Sequence, residues 1–328
     1  MIDMKNIKNK LKKSYFIVNK MYYLLAFVFL SIADFSLGFY YFLLSAVIYL
    51  YKVLKSKIPI EVDKNFEPKT YVYKEVEDRS LKLDLWLPAN KKKYPVVFFC
   101  HGGGWISGFR NQPNNVSWCK YLASRNLAVI SIDYRYGYKN TMEDILSDYS
   151  DALEFVRKNH ETLSIDKNKI VLMGLSAGGH LSLLYSTYYT HTNNRDKMEG
   201  IRGVVAYYAP SDLRDIFIAD NKSIFSRFAT RKTLKADPKE KEDIYRYYSP
   251  ITYLSKNMIP CLLVHGKEDQ VVPFNSSVKF AQKLKEYNIK YKFLIHKKGE
   301  HSFDTRRKDV YTVNILEGTL RFIKKLLE

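Results

Sequence analysis

Cysteine is scarce in this chain. Cys100, Cys119 and Cys261 are the only three in 328 residues, and they form neither a C-x-x-C pair nor any metal-ligand spacing. Nothing here builds a disulfide framework or a cysteine metal site; the three read as buried thiols, and the redox compartment stays open. Acidic side chains are also in short supply, 34 against 53 lysines and arginines, for a formal net charge of +19. Nucleic-acid binding would call for those cations in one stripe with interleaved aromatics or a known module, and neither is present. Residues 1–51 hold six lysines against Asp3 and Asp34, which leaves about +15 spread over the remainder. That spread fits a Lys- and Tyr-rich compositional bias or attraction to an anionic membrane surface. A small-residue cleavage site of the A-x-A kind is missing from the N-terminal region, which argues against a removed signal peptide.

What is present is enough apolar material for a packed core: 46% hydrophobic against 27% charged residues. The chain divides by composition into a basic arm at 1–20, one strongly apolar stretch at 21–51, a polar linker at 52–68 and a long mixed domain at 69–328. As one helix, the 31-residue apolar stretch would be about 46 Å long, more than a hydrocarbon core of ~30 Å needs. It also contains Asp34, which costs about 2.5–3.5 kcal/mol at a bilayer centre. The expectation is a retained membrane anchor, as one tilted span or a short hairpin broken at 33–36. A buried pair of globular helices is the alternative.

Beyond the linker, alternating residues at 71–76 and 81–87 predict an antiparallel hairpin at a sheet edge. Apolar runs then recur at 96–100, 127–132, 170–173, 204–207, 261–264 and 292–295, separated by helix-like stretches such as 142–158, 177–190, 275–287 and 307–327. This alternation predicts an α/β fold, a mainly parallel sheet flanked by helices on both faces. Catalytic groups in such sheets collect at the carboxyl ends of the strands.

The strand ends carry the chemistry. Ile170–Met173 runs into Gly174-Leu175-Ser176-Ala177-Gly178, a G-x-S-x-G turn between a buried strand and a helix. A serine raised at such a corner sits in strained backbone, and its neighbours two residues away are too crowded to carry a Cβ. The run at 96–100 is followed by His101-Gly102-Gly103-Gly104-Trp105, whose unobstructed N–H groups suit an oxyanion. A phosphate loop would require Gly-Lys-Ser/Thr, and an aromatic follows instead. A serine nucleophile needs a base and a group to orient that base. His301 lies in a loop between the last strand and the last helix; His296 closes that strand and is a distant second. Asp269, in the loop after 261–266, is the acid, with Glu268 as runner-up. His101 and His265 read as structural.

The segments HGGGW, DYR at 133–135, GLSAGGH, HGKEDQVVP and GEHSF together resemble the α/β-hydrolase superfamily, in its HGGG-type esterase/lipase branch. Within that branch the chain is similar to isoprenylcysteine methylesterases, kynurenine formamidases and feruloyl-esterase-like proteins. The resemblance implies Ser176 as nucleophile, His301 as general base and acid, and Asp269 as its orienter. The backbone N–H groups of Gly103, Gly104 and Ala177 would form the oxyanion hole, and Asp133 and Arg135 would be structural. It implies cleavage of a small-molecule or lipid-like ester with no cofactor and no metal. An amidase, formamidase or peptidase on the same triad, and a catalytically silent binding protein, are the rival readings. Residues 211–249, rich in Phe and basic groups, form either a lid with an apolar underside or an amphipathic surface excursion.

Overall fold

The computed structural model describes residues 39–40, 43–44, 56–62, 66–77, 79–88 and 93–328. The chain divides into two compact units, Met1–Lys55 and Ser56–Glu328. In the first, the described residues, 39–40 and 43–44, are helical, and the rest of the expected 21–51 membrane segment lies outside the described residues. A membrane location is therefore corrected: no helix among the described residues is long and apolar enough to cross a membrane. The physical reason is visible in the long helices that are described. The two longest, Met142–Lys158 and Val310–Leu327, interrupt their apolar positions with charge, turning one face to the sheet and the other outward.

The second unit is built on eight strands: β1 (Lys69–Val76), β2 (Arg79–Trp86), β3 (Tyr94–Cys100), β4 (Ala128–Ile132), β5 (Ile165–Leu175), β6 (Ile201–Tyr207), β7 (Cys261–Gly266) and β8 (Tyr291–His296). They form one sheet in the order β1-β2-β4-β3-β5-β6-β7-β8. β1 pairs antiparallel with β2 and β2 antiparallel with β4, while every pairing from β4 to β8 is parallel. The helices are α1 (Pro113–Ser124), α2 (Met142–Lys158), α3 (Ala177–His191), α4 (Arg195–Met198), α5 (Ile224–Leu234), α6 (Glu242–Tyr247), α7 (Phe274–Glu286), α8 (Phe303–Arg306) and α9 (Val310–Leu327), with 3₁₀ turns at Leu213–Phe217 and Pro250–Tyr253.

Why the strands read as continuous apolar runs is clear from the two cores. Successive side chains leave a strand on opposite faces. Val96, Phe98 and Cys100 therefore join one core with Leu172, Tyr149 and Leu181. Val97 and Phe99 join the other with Val171, Met173, Trp118 and Leu316. A sheet covered on both sides needs apolar residues at every position, not at alternate ones. Ile58 and Phe66 are buried in the second core as well, and the Ile58 N–H donates to Ser117 Oγ at 3.1 Å.

This connectivity decides where a site can form. β3 feeds α1 on one face of the sheet and β5 feeds α3 on the other, so the chain leaves two neighbouring strands in opposite directions. A crevice opens outside their carboxyl ends at such a switch point. Register sets Cys100 beside Gly174, which brings the glycine loop after β3 next to the turn after β5.

Candidate active site

Ser176 occupies that turn with φ +51° and ψ −115°, immediately before the first residue of α3. Positive φ is uncommon outside glycine and costs on the order of 1–3 kcal/mol. The surroundings hold it there: the Ser176 N–H donates to the Tyr207 carbonyl at 2.8 Å, tying the corner to β6. A Cβ at Gly174 would overlap the backbone of Gly178, and one at Gly178 would overlap the Cys100 carbonyl. The two glycines are thus required by close approach of three backbone segments.

His301 lies in the loop between β8 and α8. Its Nε2 is 3.0 Å from Ser176 Oγ, and its Nδ1 is 2.7 Å from Asp269 Oδ2. Asp269, with its side chain fully buried, is held at both oxygens. Oδ1 accepts from the backbone N–H groups of Val271 and Val272 at 2.8 and 2.9 Å, and Oδ2 also lies 3.1 Å from His265 Nε2. Burial alone would raise this carboxyl's pKa. The attraction of His301 and the hydrogen bonds from His265 and His301 overcome it and hold Asp269 below the usual carboxylate range.

The glycine loop faces the same corner. A Cβ at Gly102 would come within 3.3 Å of Ser176 Cβ. Gly104 has φ +62°, and a Cβ there would meet Phe225 and Ala229 of α5 at 3.0 Å. Among the described residues, no hydrogen-bond acceptor faces the N–H groups of Gly103, Gly104 or Ala177.

The structure thus brings Ser176, Asp269 and His301 together and sets the glycine loop beside them. Glu268 is exposed, and His296 is turned elsewhere, its Nε2 3.2 Å from Asp309. Asp133 accepts from the Arg110 backbone and guanidinium at 2.9 and 2.6 Å, fixing the segment after the glycine loop. Arg135 pairs with Asp148 and Asp144 of α2.

Four residues around the triad escape a sequence reading. His265, read as structural, shares Asp269 Oδ2 and is itself braced by Ser277 Oγ at 2.7 Å. The Tyr208 ring lies 4.6 Å from that of His301, and its hydroxyl donates to Asp304 Oδ1 at 2.9 Å. Trp118 Nε1 donates to the other Asp304 oxygen at 2.8 Å. Burial raises the Asp304 carboxyl despite those two donors. The only sequence signal was position: Tyr208 follows a strand end, and Asp304 stands three residues after His301.

Fold and constellation define the class, an α/β-hydrolase of the esterase/lipase family. The family model BD-FAE matches residues 83–284, and the chain belongs to that family. It is similar to the probable isoprenylcysteine alpha-carbonyl methylesterase ICME of Oryza sativa subsp. japonica, 29% identical over 251 residues, covering 72% of this chain and 57% of that protein. Esterase LipC of Mycobacterium tuberculosis is 28% identical over 216 residues, covering 64% and 53%. The chain spans about half the length of these relatives. Among solved structures, a truncated carbohydrate esterase from gut microbiota superposes with a TM-score of 0.68 at 22% identity, covering 81% of this chain and 98% of that one. Butyrate-bound esterase 2 of Thermogutta terrifontis gives 0.63 at 23%, covering 79% and 94%. Both structural likenesses are of fold.

Proposed function

We propose that the chain cleaves carboxylic esters as a serine hydrolase through an acyl-enzyme intermediate. The observation that carries this reading is the line from Ser176 Oγ through His301 to Asp269, with hydrogen-bond distances of 3.0 and 2.7 Å. A hydroxyl is a weak nucleophile until its proton is taken. His301 Nε2 removes it as Oγ attacks the ester carbonyl, and Asp269 holds the imidazole with Nδ1 protonated and stabilises the cation that forms. Negative charge develops on the carbonyl oxygen, where the N–H groups of Gly103, Gly104 and Ala177 receive it. His301 then gives the proton to the departing alkoxide. Water repeats the sequence against the acyl-enzyme, and no metal or cofactor takes part. Residues 211–249 supply the roof: α5 sets Phe225 beside Gly104, with Phe225 and Phe228 partly exposed. This favours an ester with an apolar group.

A panel of p-nitrophenyl esters of increasing acyl length, run beside matched p-nitroanilides on the full chain, tests the reaction class. Ester turnover should exceed anilide turnover at every length; comparable anilide rates would move the assignment to an amidase on the same triad.

Oxyanion donors are worth about 10²–10³ in kcat each. Gly104→Ala forces a side chain onto a residue with φ +62° and against Phe225 and Ala229, tilting the loop. The expected result is a kcat lower by about 10²-fold with KM little changed. Unchanged kcat would remove Gly104 from the hole.

A further inference from the structure

Six tyrosines form a continuous arc that runs from the buried Tyr185 to the exposed Tyr247. Tyr185, Tyr188 and Tyr189 lie on α3, Tyr247 ends α6, Tyr248 follows it, and Tyr253 lies in the second 3₁₀ turn. Their rings touch in series. Tyr185 meets Tyr189 at 4.6 Å between centroids, Tyr189 meets Tyr188 at 5.3 Å and Tyr188 meets Tyr253 at 5.1 Å. Tyr253 then meets Tyr247 at 6.2 Å, and Tyr247 meets Tyr248 at 4.9 Å. From Tyr189 onward, neighbouring planes stand 81–88° apart. Rings at right angles make walls, since each edge-to-face contact leaves a ring face uncovered; a stack would bury the faces.

These tyrosines, with Leu146, Leu184 and Glu143, line a half-open pocket of about 140 Å³. A cavity of about 150 Å³ accommodates a molecule the size of benzene. The charge of the lining is the second observation. In a chain with net charge +19, no lysine or arginine among the described residues lines this pocket, and the one charged lining residue among them is Glu143. Glu143 makes no ion pair among the described residues. Burial pushes the Tyr185 and Tyr253 phenols up to about 12, so those walls are neutral at ordinary pH. Burial, helped by the Glu143 carboxylate, raises the Tyr248 phenol too.

We propose that this pocket binds a small quaternary ammonium cation. Such an ion has no N–H to donate, so ring faces within about 6 Å and one nearby carboxylate are the partners it needs. A primary ammonium would instead require several aligned acceptors. The tyrosines on α3 stand 9–13 residues beyond Ser176, roughly 14–20 Å along the helix axis, and the pocket's lining includes none of Ser176, Asp269 and His301, so the proposal stands whether or not those three are catalytic.

Choline is the probe, with 3,3-dimethylbutanol as its neutral isostere and glucose as a polyol control. Each is titrated into the full chain at fixed ionic strength and followed by tyrosine fluorescence and calorimetry. Choline should saturate with a Kd about tenfold lower than that of the isostere. Tyr247→Ala and Glu143→Gln, both at exposed positions, should each weaken choline about fivefold or more while leaving the thermal transition and p-nitrophenyl ester turnover unchanged. Equal binding of choline and the isostere overturns the proposal, as does saturation by glucose without choline. Choline affinity unaltered in both variants also overturns it, because the cation would then sit elsewhere.

Discussion

Ser176→Ala is expected to lower ester turnover by about 10⁵–10⁶-fold and to abolish labelling by a fluorophosphonate probe, with the folded state intact. The size follows from how the three side chains act. Without Oγ, His301 has no proton to take and the acyl-enzyme cannot form, so only binding and oxyanion stabilisation persist, and these together retain about 10³–10⁴ over the reaction in water. Ser176 is partly exposed and its Oγ contacts His301. The alanine also keeps the N–H that bonds to Tyr207, so the corner survives. A variant that still turns over esters within tenfold of the parent would end the serine mechanism. A parent chain that neither labels nor turns over any ester would favour the silent binding protein.

The second large effect is at Asp269. Asp269→Asn should cost about 10⁴-fold in kcat with little change in KM, and here the hydrogen bonds say why. Oδ1 accepts from two backbone N–H groups, those of Val271 and Val272. An asparagine must keep its carbonyl oxygen there, because its amide nitrogen can only donate. The amide NH₂ then faces His301 Nδ1, which has to accept. That places the proton on Nε2, the nitrogen that should take the serine proton. The same NH₂ faces His265, so the brace is disturbed as well. Single-turnover kinetics beside a thermal melt measure this; a loss below tenfold in a folded variant would show that Asp269 does not set the tautomer.

Stability carries its own sign. Asp269 is held below its unfolded value, about 3.9. The folded state is therefore stabilised by the carboxylate fully above that pH, and the contribution disappears as pH falls through the folded value. As pH falls below about 4 toward the folded value, the difference in melting temperature between the parent and Asp269→Asn should shrink progressively.

How much of this was legible in advance depended on range along the chain. The crowding that demands Gly174 and Gly178 around Ser176 acts over five residues, and the apolar runs declare doubly covered strands wherever they occur. The sequence by itself therefore determined the α/β architecture and the serine corner, and it put forward the glycine loop after β3 together with Asp269 and His301 in strand-end loops. The tertiary structure decided what depends on sheet order and on packing between distant segments. His265 shares its carboxylate with the imidazole 36 positions later. Trp118 reaches across 186 residues to Asp304, and α5 presses Phe225 toward Gly104. Tyrosines from α3 and from the segment around 247–253 close into one arc. Such contacts have no local signature: each residue's neighbours along the chain are satisfied without it, and only strand order and helix placement bring the partners within reach.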